Sequence, residues 1–126
     1  MFLESRLGQH IILDIWGADG LTEIEHIEKA FAAMAEAASA TLLKMQFHHF
    51  GEGCGITGVA LLAESHISIH SWPEYNYAAI DIFMCGDSDI QRAIPVVKEY
   101  FTPASMQVTH LSRGVGAKPA PDVTPA

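Results

Sequence analysis

Four short strand-like segments follow one another between residues 41 and 85, with only brief turns between them. They span 41–50, 59–63, 66–72 and 77–85. The second is short and fully apolar, as a buried strand would be, and the third alternates polar with apolar residues. Runs of short adjacent strands with few helices favour an antiparallel sheet. This run therefore predicts that an antiparallel sheet dominates the fold.

The remaining segments add two outer strands and two helices. Strands are predicted at 9–16 and 105–111, and a helix within 19–40, where Thr22 and Glu25 have the spacing of a capping box. Its apolar stripe consists of Ile24, Ile27, Phe31, Met34 and Ala38. The stripe of the second helix consists of Ile90, Ile94, Val97 and Phe101.

The resulting order is β-α-β-β-β-β-α-β. It predicts an α+β fold, a two-layer sandwich in which both helices pack on one face of an antiparallel sheet. The other face of the sheet then needs cover. The aromatic and aliphatic side chains of 41–50 and 77–85 indicate that a second copy provides it, so we expect a homodimer.

Length and charge bound the function. The 126 residues predict one domain over 1–113 and a flexible tail over 114–126, which is rich in Pro, Ala and Gly. A formal charge of −8 argues against a nucleic-acid partner and is compatible with a cationic small substrate. No apolar run has the length of a membrane span, and Asp14 interrupts the apolar run of the N-terminal segment. We therefore expect a cytoplasmic protein with no membrane contact.

The stretch "AESHISIHSWPEYNY", residues 63–77, concentrates ionisable side chains that an ordinary buried strand does not need. Its Glu-Ser-His is not the Gly-x-Ser-x-Gly elbow of a serine hydrolase. A zinc site is an alternative, because four histidines lie close together in sequence, but Cys-x-x-Cys and His-Glu-x-x-His motifs are absent and we expect no metal. Its candidate ligands would be His48, His49, His66 and His70.

A self-cleavage reaction fits these residues better. A serine hydroxyl attacks the carbonyl of the residue before it, a base removes the serine Hα, and the serine ends as a pyruvoyl group. The reaction needs a serine, a base, a hydroxyl that steadies the oxyanion and a tight turn. Ser65, His70, Thr57 and the glycine loop 51–58 are the candidates. Strict alternation puts Ser65 and His70 on opposite strand faces, so their cooperation requires Ser65 to lie on a turn.

The segments "LLAESHISIHSWPEYNYAAIDIFMCG" and "FHHFGEGCGITGVALLAESH" closely resemble the signature region of the prokaryotic S-adenosylmethionine decarboxylases. The resemblance covers roughly residues 7–113. These enzymes of polyamine synthesis carry a pyruvoyl group and need no external cofactor. The resemblance implies cleavage between Glu64 and Ser65, which gives a β chain of 1–64 and an α chain of 65–126.

The same resemblance implies a role for each matching residue. Ser65 becomes the pyruvoyl group, which forms a Schiff base with the substrate. His70 is the base in processing, Thr57 assists processing, and Cys85 donates a proton in decarboxylation. The adenine-stacking rings are Phe50 and Trp72, and the acceptor for the ribose hydroxyls is Glu74. The product would be an aminopropyl donor for spermidine, and the active sites would lie at a homodimer interface.

Two other functions stay open at this point. A relative with the same pyruvoyl chemistry could act on ornithine or arginine. A silent paralogue could instead regulate an active partner, although a silent copy has no need of Ser65, His70 and Cys85 together.

Overall fold

The computed structural model describes residues 5–85 and 87–121. It contains six strands, two α-helices and two single-turn 3-10 helices. In chain order these are β1 Gly8–Trp16, α1 Ile24–Ala37, β2 Leu42–His49, β3 Ile56–Leu62, β4 Ser65–Trp72, a 3-10 turn Pro73–Tyr75, β5 Tyr77–Cys85, a 3-10 turn Ile90–Arg92, α2 Ala93–Phe101 and β6 Ser105–Arg113.

All six strands form one antiparallel sheet in the order β2-β3-β4-β5-β1-β6. Strands β2 to β5 pair with their neighbours in sequence, as expected for strands joined by short turns. Strand β1 lies between β5 and β6, so the first strand of the chain is enclosed by two later ones. The predicted α+β fold and the predicted element order are confirmed.

The core lies between the helices and one face of the sheet. Alternate residues of the central strands are fully buried on that face, among them Ile11, Leu13, Ile67, Ile80 and Ile82. The predicted stripe of α1 meets them through Ile27, Phe31, Met34 and Ala38, while α2 contributes Ala93, Val97 and Phe101. Period-2 burial in the strands and period-3.6 burial in the helices produce this two-layer arrangement.

Two local predictions are wrong. Helix α1 begins at Ile24 with Glu23 as its N-cap, and no side chain caps it, so Thr22 and Glu25 do not form a capping box. Strand β3 begins at Ile56, so Thr57 and Gly58 lie in the strand rather than in the glycine loop. The ring of Phe47 covers the space where a Cβ of Gly58 would lie, which explains why glycine stands inside this strand.

We call the sheet surface opposite the helices the open face. Four large apolar side chains are exposed on it, on strands β1, β3, β4 and β6: Trp16, Leu61, Trp72 and Leu111. The tail residues 114–121 are exposed and form neither helix nor strand, whereas residues 1–4, 86 and 122–126 of the predicted domain and tail lie outside the described residues. Within the described part of the chain, neither helix has the length and apolarity needed to cross a membrane.

Candidate active site

The turn Ala63–Glu64 between β3 and β4 places the Glu64–Ser65 bond at one end of the sheet, which we call the Ser65 end. The amide of Ala63 donates to the carbonyl of Thr41, and the amide of Thr41 donates to Oε1 of Glu64 at 2.8 Å. Ser65 is the first residue of β4 and has a φ of 155°. A positive φ at a non-glycine residue stores roughly 1–3 kcal/mol when its surroundings enforce it. The Glu64–Ser65 peptide therefore lies between an anchored turn and a strained first residue of β4.

The carbonyl oxygen of Glu64 accepts two hydrogen bonds from Cys85. The backbone amide of Cys85 lies 3.1 Å from this oxygen, and the Sγ of Cys85 also lies 3.1 Å from it. Two donors on one carbonyl oxygen form the arrangement that stabilises an oxyanion when a nucleophile adds to the carbonyl carbon. The strand pairing of β4 with β5 delivers both donors to this position.

The nucleophile available to that carbonyl is the hydroxyl of Ser65. Its Oγ lies 3.4 Å from Nδ1 of His66. The His66 ring is half-buried and packs against the ring of Phe83, with the centroids 5.9 Å apart. The sequence suggested a role for His66 only as a zinc ligand, and the adjacency of His66 to Ser65 was the one signal for a different role.

A second group of side chains gathers at the opposite end of the sheet, which we call the His70 end. Thr57 and His70 are register partners on β3 and β4, and Oγ1 of Thr57 lies 3.2 Å from Nδ1 of His70. The predicted processing base and the predicted processing hydroxyl are thus in direct contact. This contact exists because β3 begins three residues earlier than the sequence indicated.

A cavity of about 430 Å³ opens at the His70 end. Its walls include all five predicted residues of this end together with Cys54, Gly55 and Ser71: Phe50, Thr57, His70, Trp72 and Glu74 complete the lining. Phe50 is 63% exposed and Trp72 is 42% exposed, so both residues are accessible to a planar ligand.

The two ends do not meet within one copy of the chain. Ser65 pairs with Leu62 and Met84, whereas His70 pairs with Thr57 and Ala79. Five residues of extended strand separate Ser65 from His70 by roughly 17 Å, more than an imidazole side chain can span. The sequence predicted that Ser65 must lie on a turn before the strand if it is to act with His70. Ser65 is instead the first residue of β4, and the two side chains do not reach each other within one copy.

Ser71 stabilises the His70 end from the buried side of the sheet. Its side chain is one of two buried polar side chains within the described residues and is 7% exposed. Its Oγ accepts a hydrogen bond from the amide of Ile56 at 2.9 Å and donates to the carbonyl of Leu21 at 2.9 Å. The hydroxyl thereby ties the start of β3 to β4 beside Thr57 and His70.

Polar side chains also line the middle of the open face. Nε2 of His10 lies 3.1 Å from Oδ1 of Asp81, and the hydroxyl of Tyr77 donates to Asp14. The hydrogen bond to Asp14, followed by burial and the nearby negative charges, raises the pKa of Tyr77 to about 12. In the part of the chain that the structure covers, no three His, Cys, Asp or Glu side chains are placed to hold a metal ion.

Comparisons with known proteins agree with one another. The sequence model of the family described as S-adenosylmethionine decarboxylase matches residues 9–114. A protein of Thermomicrobium roseum named S-adenosylmethionine decarboxylase proenzyme is 41% identical over 110 residues, which cover 86% of this chain and 95% of the relative. A protein of Methanococcus vannielii with the same name is 42% identical over 113 residues, which cover 87% and 92%.

A solved structure is also similar. The crystal structure of the adenosylmethionine decarboxylase from Aquifex aeolicus superposes with a TM-score of 0.81 at 33% sequence identity. The match covers 92% of this chain and 98% of that structure.

Proposed function

The chain belongs to the S-adenosylmethionine decarboxylase family, and we propose that it is a proenzyme that cuts its own Glu64–Ser65 bond and then decarboxylates S-adenosylmethionine. Cleavage gives a β chain of 1–64 and an α chain of 65–126. The observation that carries the proposal is the Glu64 carbonyl, which accepts two hydrogen bonds from Cys85 and is followed directly by Ser65.

Cleavage uses only groups of the chain. The Ser65 hydroxyl adds to the Glu64 carbonyl carbon, while the amide and thiol of Cys85 hold the developing oxyanion. Collapse of this intermediate converts the peptide bond into an ester. His70, steadied by Thr57, removes the Hα of residue 65, and elimination releases the carboxylate of Glu64. The dehydroalanine that remains becomes an imine, and water hydrolyses the imine to a ketone and ammonia.

The separation of Ser65 from His70 requires a second copy of the chain. A homodimer in which the open faces meet across a two-fold axis, with the axis perpendicular to the strands, brings the Ser65 end of one copy to the His70 end of the other. Each dimer then has two complete sites. The apolar side chains of the open face support this packing, because Trp16, Leu61, Trp72 and Leu111 are otherwise exposed to water.

The cavity at the His70 end fits the nucleoside part of the substrate. Phe50 and Trp72 offer ring faces to an adenine, and the Glu74 carboxylate can accept hydrogen bonds from both ribose hydroxyls. The formal charge of −8 favours a substrate that carries a positive sulfonium. Ornithine and arginine lack an adenine and a ribose, so this cavity favours S-adenosylmethionine over them.

Residue 65 fits the pyruvoyl group, because the preceding residue, Glu64, is held by Cys85 and by Thr41, while the hydroxyl of Ser65 lies beside His66. The pyruvoyl ketone supplies the electron sink that takes up the electron pair left when CO₂ departs. Cys85 lies beside this position and returns a proton to the substrate carbon. The decarboxylated product is an aminopropyl donor for polyamine synthesis, which we assign to the cytoplasm.

A denaturing intact-mass spectrum of the purified protein tests the proposal. We expect two fragments, 1–64 and 65–126, the second blocked by a ketone instead of a free amine. An intact chain of 13.7 kDa that persists after long incubation would contradict it. Release of CO₂ from S-adenosylmethionine, compared with ornithine and arginine, then identifies the substrate.

A further inference from the structure

Self-cleavage includes a proton transfer for which neither His70 nor Cys85 is the acceptor. The Ser65 hydroxyl must lose its proton when its Oγ adds to the Glu64 carbonyl. His70 serves the later removal of the Hα, and Cys85 is a donor to the carbonyl oxygen. A general base for the first step must lie within hydrogen-bond reach of Oγ.

We infer that His66 is this base, an inference that rests on the self-cleavage proposed above. Nδ1 of His66 lies 3.4 Å from Oγ of Ser65, and it accepts the serine proton in the tautomer that carries hydrogen on Nε2. The distance is at the long end for such a bond, as is common for catalytic contacts before the reacting geometry forms. Packing on Phe83 holds the ring beside the serine.

The acyl shift from nitrogen to oxygen uses His66 twice, first as a proton acceptor and then as a proton donor. Oγ of Ser65 bonds to the carbonyl carbon of Glu64, and its proton passes to Nδ1 of His66. The oxyanion that forms on the Glu64 oxygen is held by the amide and thiol of Cys85. The bond from this carbon to the Ser65 nitrogen breaks, and that nitrogen takes the proton back from His66. The products are an ester and a free amine, and His66 is neutral again.

This assignment divides the reaction between two copies of the chain. Ser65, His66 and Cys85 lie together at the Ser65 end of one copy and form the ester. His70 and Thr57 lie at the far end of the sheet and are supplied by the other copy for the elimination. His66 is therefore a catalytic residue of the acyl shift alone.

Hydroxylamine separates the two steps, because it cleaves an ester and leaves a peptide bond intact. Full-length His66→Ala and His70→Ala proteins are incubated with and without hydroxylamine, and fragments are measured by mass. We expect His70→Ala to accumulate ester and to be cut after Glu64 by hydroxylamine. We expect His66→Ala to cleave about 10²–10⁴-fold more slowly than the unmodified chain and to resist hydroxylamine.

His110→Ala is the control, since His110 is a histidine of the same sheet that pairs with Ile11, bonds Gln9 and Gln91, and lies on the helix side, away from the open face and from Ser65. It should cleave at the unmodified rate. His66→Asn, which keeps an acceptor near Oγ but no base, replaces His66→Ala if the latter does not fold, and it should also fail to cleave. Hydroxylamine cleavage of either His66 variant at the level of His70→Ala, or normal self-cleavage of either, would overturn the inference. Failure of the unmodified chain to cleave would instead overturn the proposed function.

Discussion

The opposite positions of Ser65 and His70 on the sheet lead to a complementation experiment. Ser65→Ala and His70→Ala chains with different tags are expressed together. Neither variant alone has a complete site: one lacks the nucleophile and the other lacks the base. In a mixed dimer, the His70→Ala chain keeps Ser65 and receives His70 from its Ser65→Ala partner, so one of the two sites is complete.

The expected yield follows from the pairing. With equal expression and random association into two-fold dimers, about half of the dimers are mixed, so about half of the His70→Ala chains are cleaved. Purification through both tags isolates the mixed dimers, in which nearly every His70→Ala chain should be cleaved and every Ser65→Ala chain intact. These dimers should also turn over substrate at about half the rate of the unmodified dimer, because one site of two is complete.

The measurement is an intact-mass spectrum in which the tags distinguish the two chains. Separately expressed and then mixed proteins provide the control for subunit exchange. Cleavage of His70→Ala chains expressed alone would refute the role of His70. An absence of cleavage in doubly purified mixed dimers, while the unmodified chain cleaves, would refute the composite site.

Three further predictions concern single side chains. Cys85→Ala keeps the backbone amide on the Glu64 carbonyl, so self-cleavage should slow by up to about 10²-fold without stopping. Correct turnover of the substrate should fall by about 10²–10⁴-fold, because the proton donor is lost. Full turnover would exclude Cys85 as the proton donor. The fold raises the pKa of Tyr77 to about 12 from an ordinary 10, so its stabilising bond to Asp14 is complete below about pH 10 and lost as the pH rises toward 12; denaturation curves of Tyr77→Phe should lack this loss. Ser71→Ala leaves two buried backbone groups without a partner and should lower the free energy of unfolding by about 1–3 kcal/mol, while Ser68→Ala, half-buried on the open face of the same strand, should change it by less than about 0.5 kcal/mol.

The sequence was sufficient for the layers of the fold because hydrophobic periodicity reports burial directly. The stripe of α1 and the alternation in β4 placed Phe31 and Ile67 in the core correctly. Capping residues and glycines were less informative about local structure. Thr22 and Glu25 have the spacing of a cap but do not form one, and Gly58 looks like a loop residue because the Phe47 ring that covers it comes from a neighbouring strand.

The candidate site could be predicted as a set of residue types but not as an arrangement. Ser65 and His70 are five positions apart in sequence, which suggests proximity, yet an extended strand carries them to opposite ends of a sheet. The contact between Thr57 and His70 depends on strand register, and the two hydrogen bonds from Cys85 to Glu64 depend on the pairing of β4 with β5. Register is set by packing across strands, which a single sequence does not report.

The position of β1 has a consequence for the mature enzyme. A cut after Glu64 leaves β1, α1, β2 and β3 on one fragment and β4, β5, α2 and β6 on the other. Strand β1 is hydrogen-bonded along its whole length to β5 on one side and to β6 on the other, while β3 pairs with β4. The two pieces are therefore interleaved, and neither can leave without dismantling the sheet. If the two fragments are unfolded and separated, their reassociation is bimolecular and depends on concentration. The intact precursor, in contrast, folds as a single chain, a unimolecular reaction that is no longer possible after cleavage.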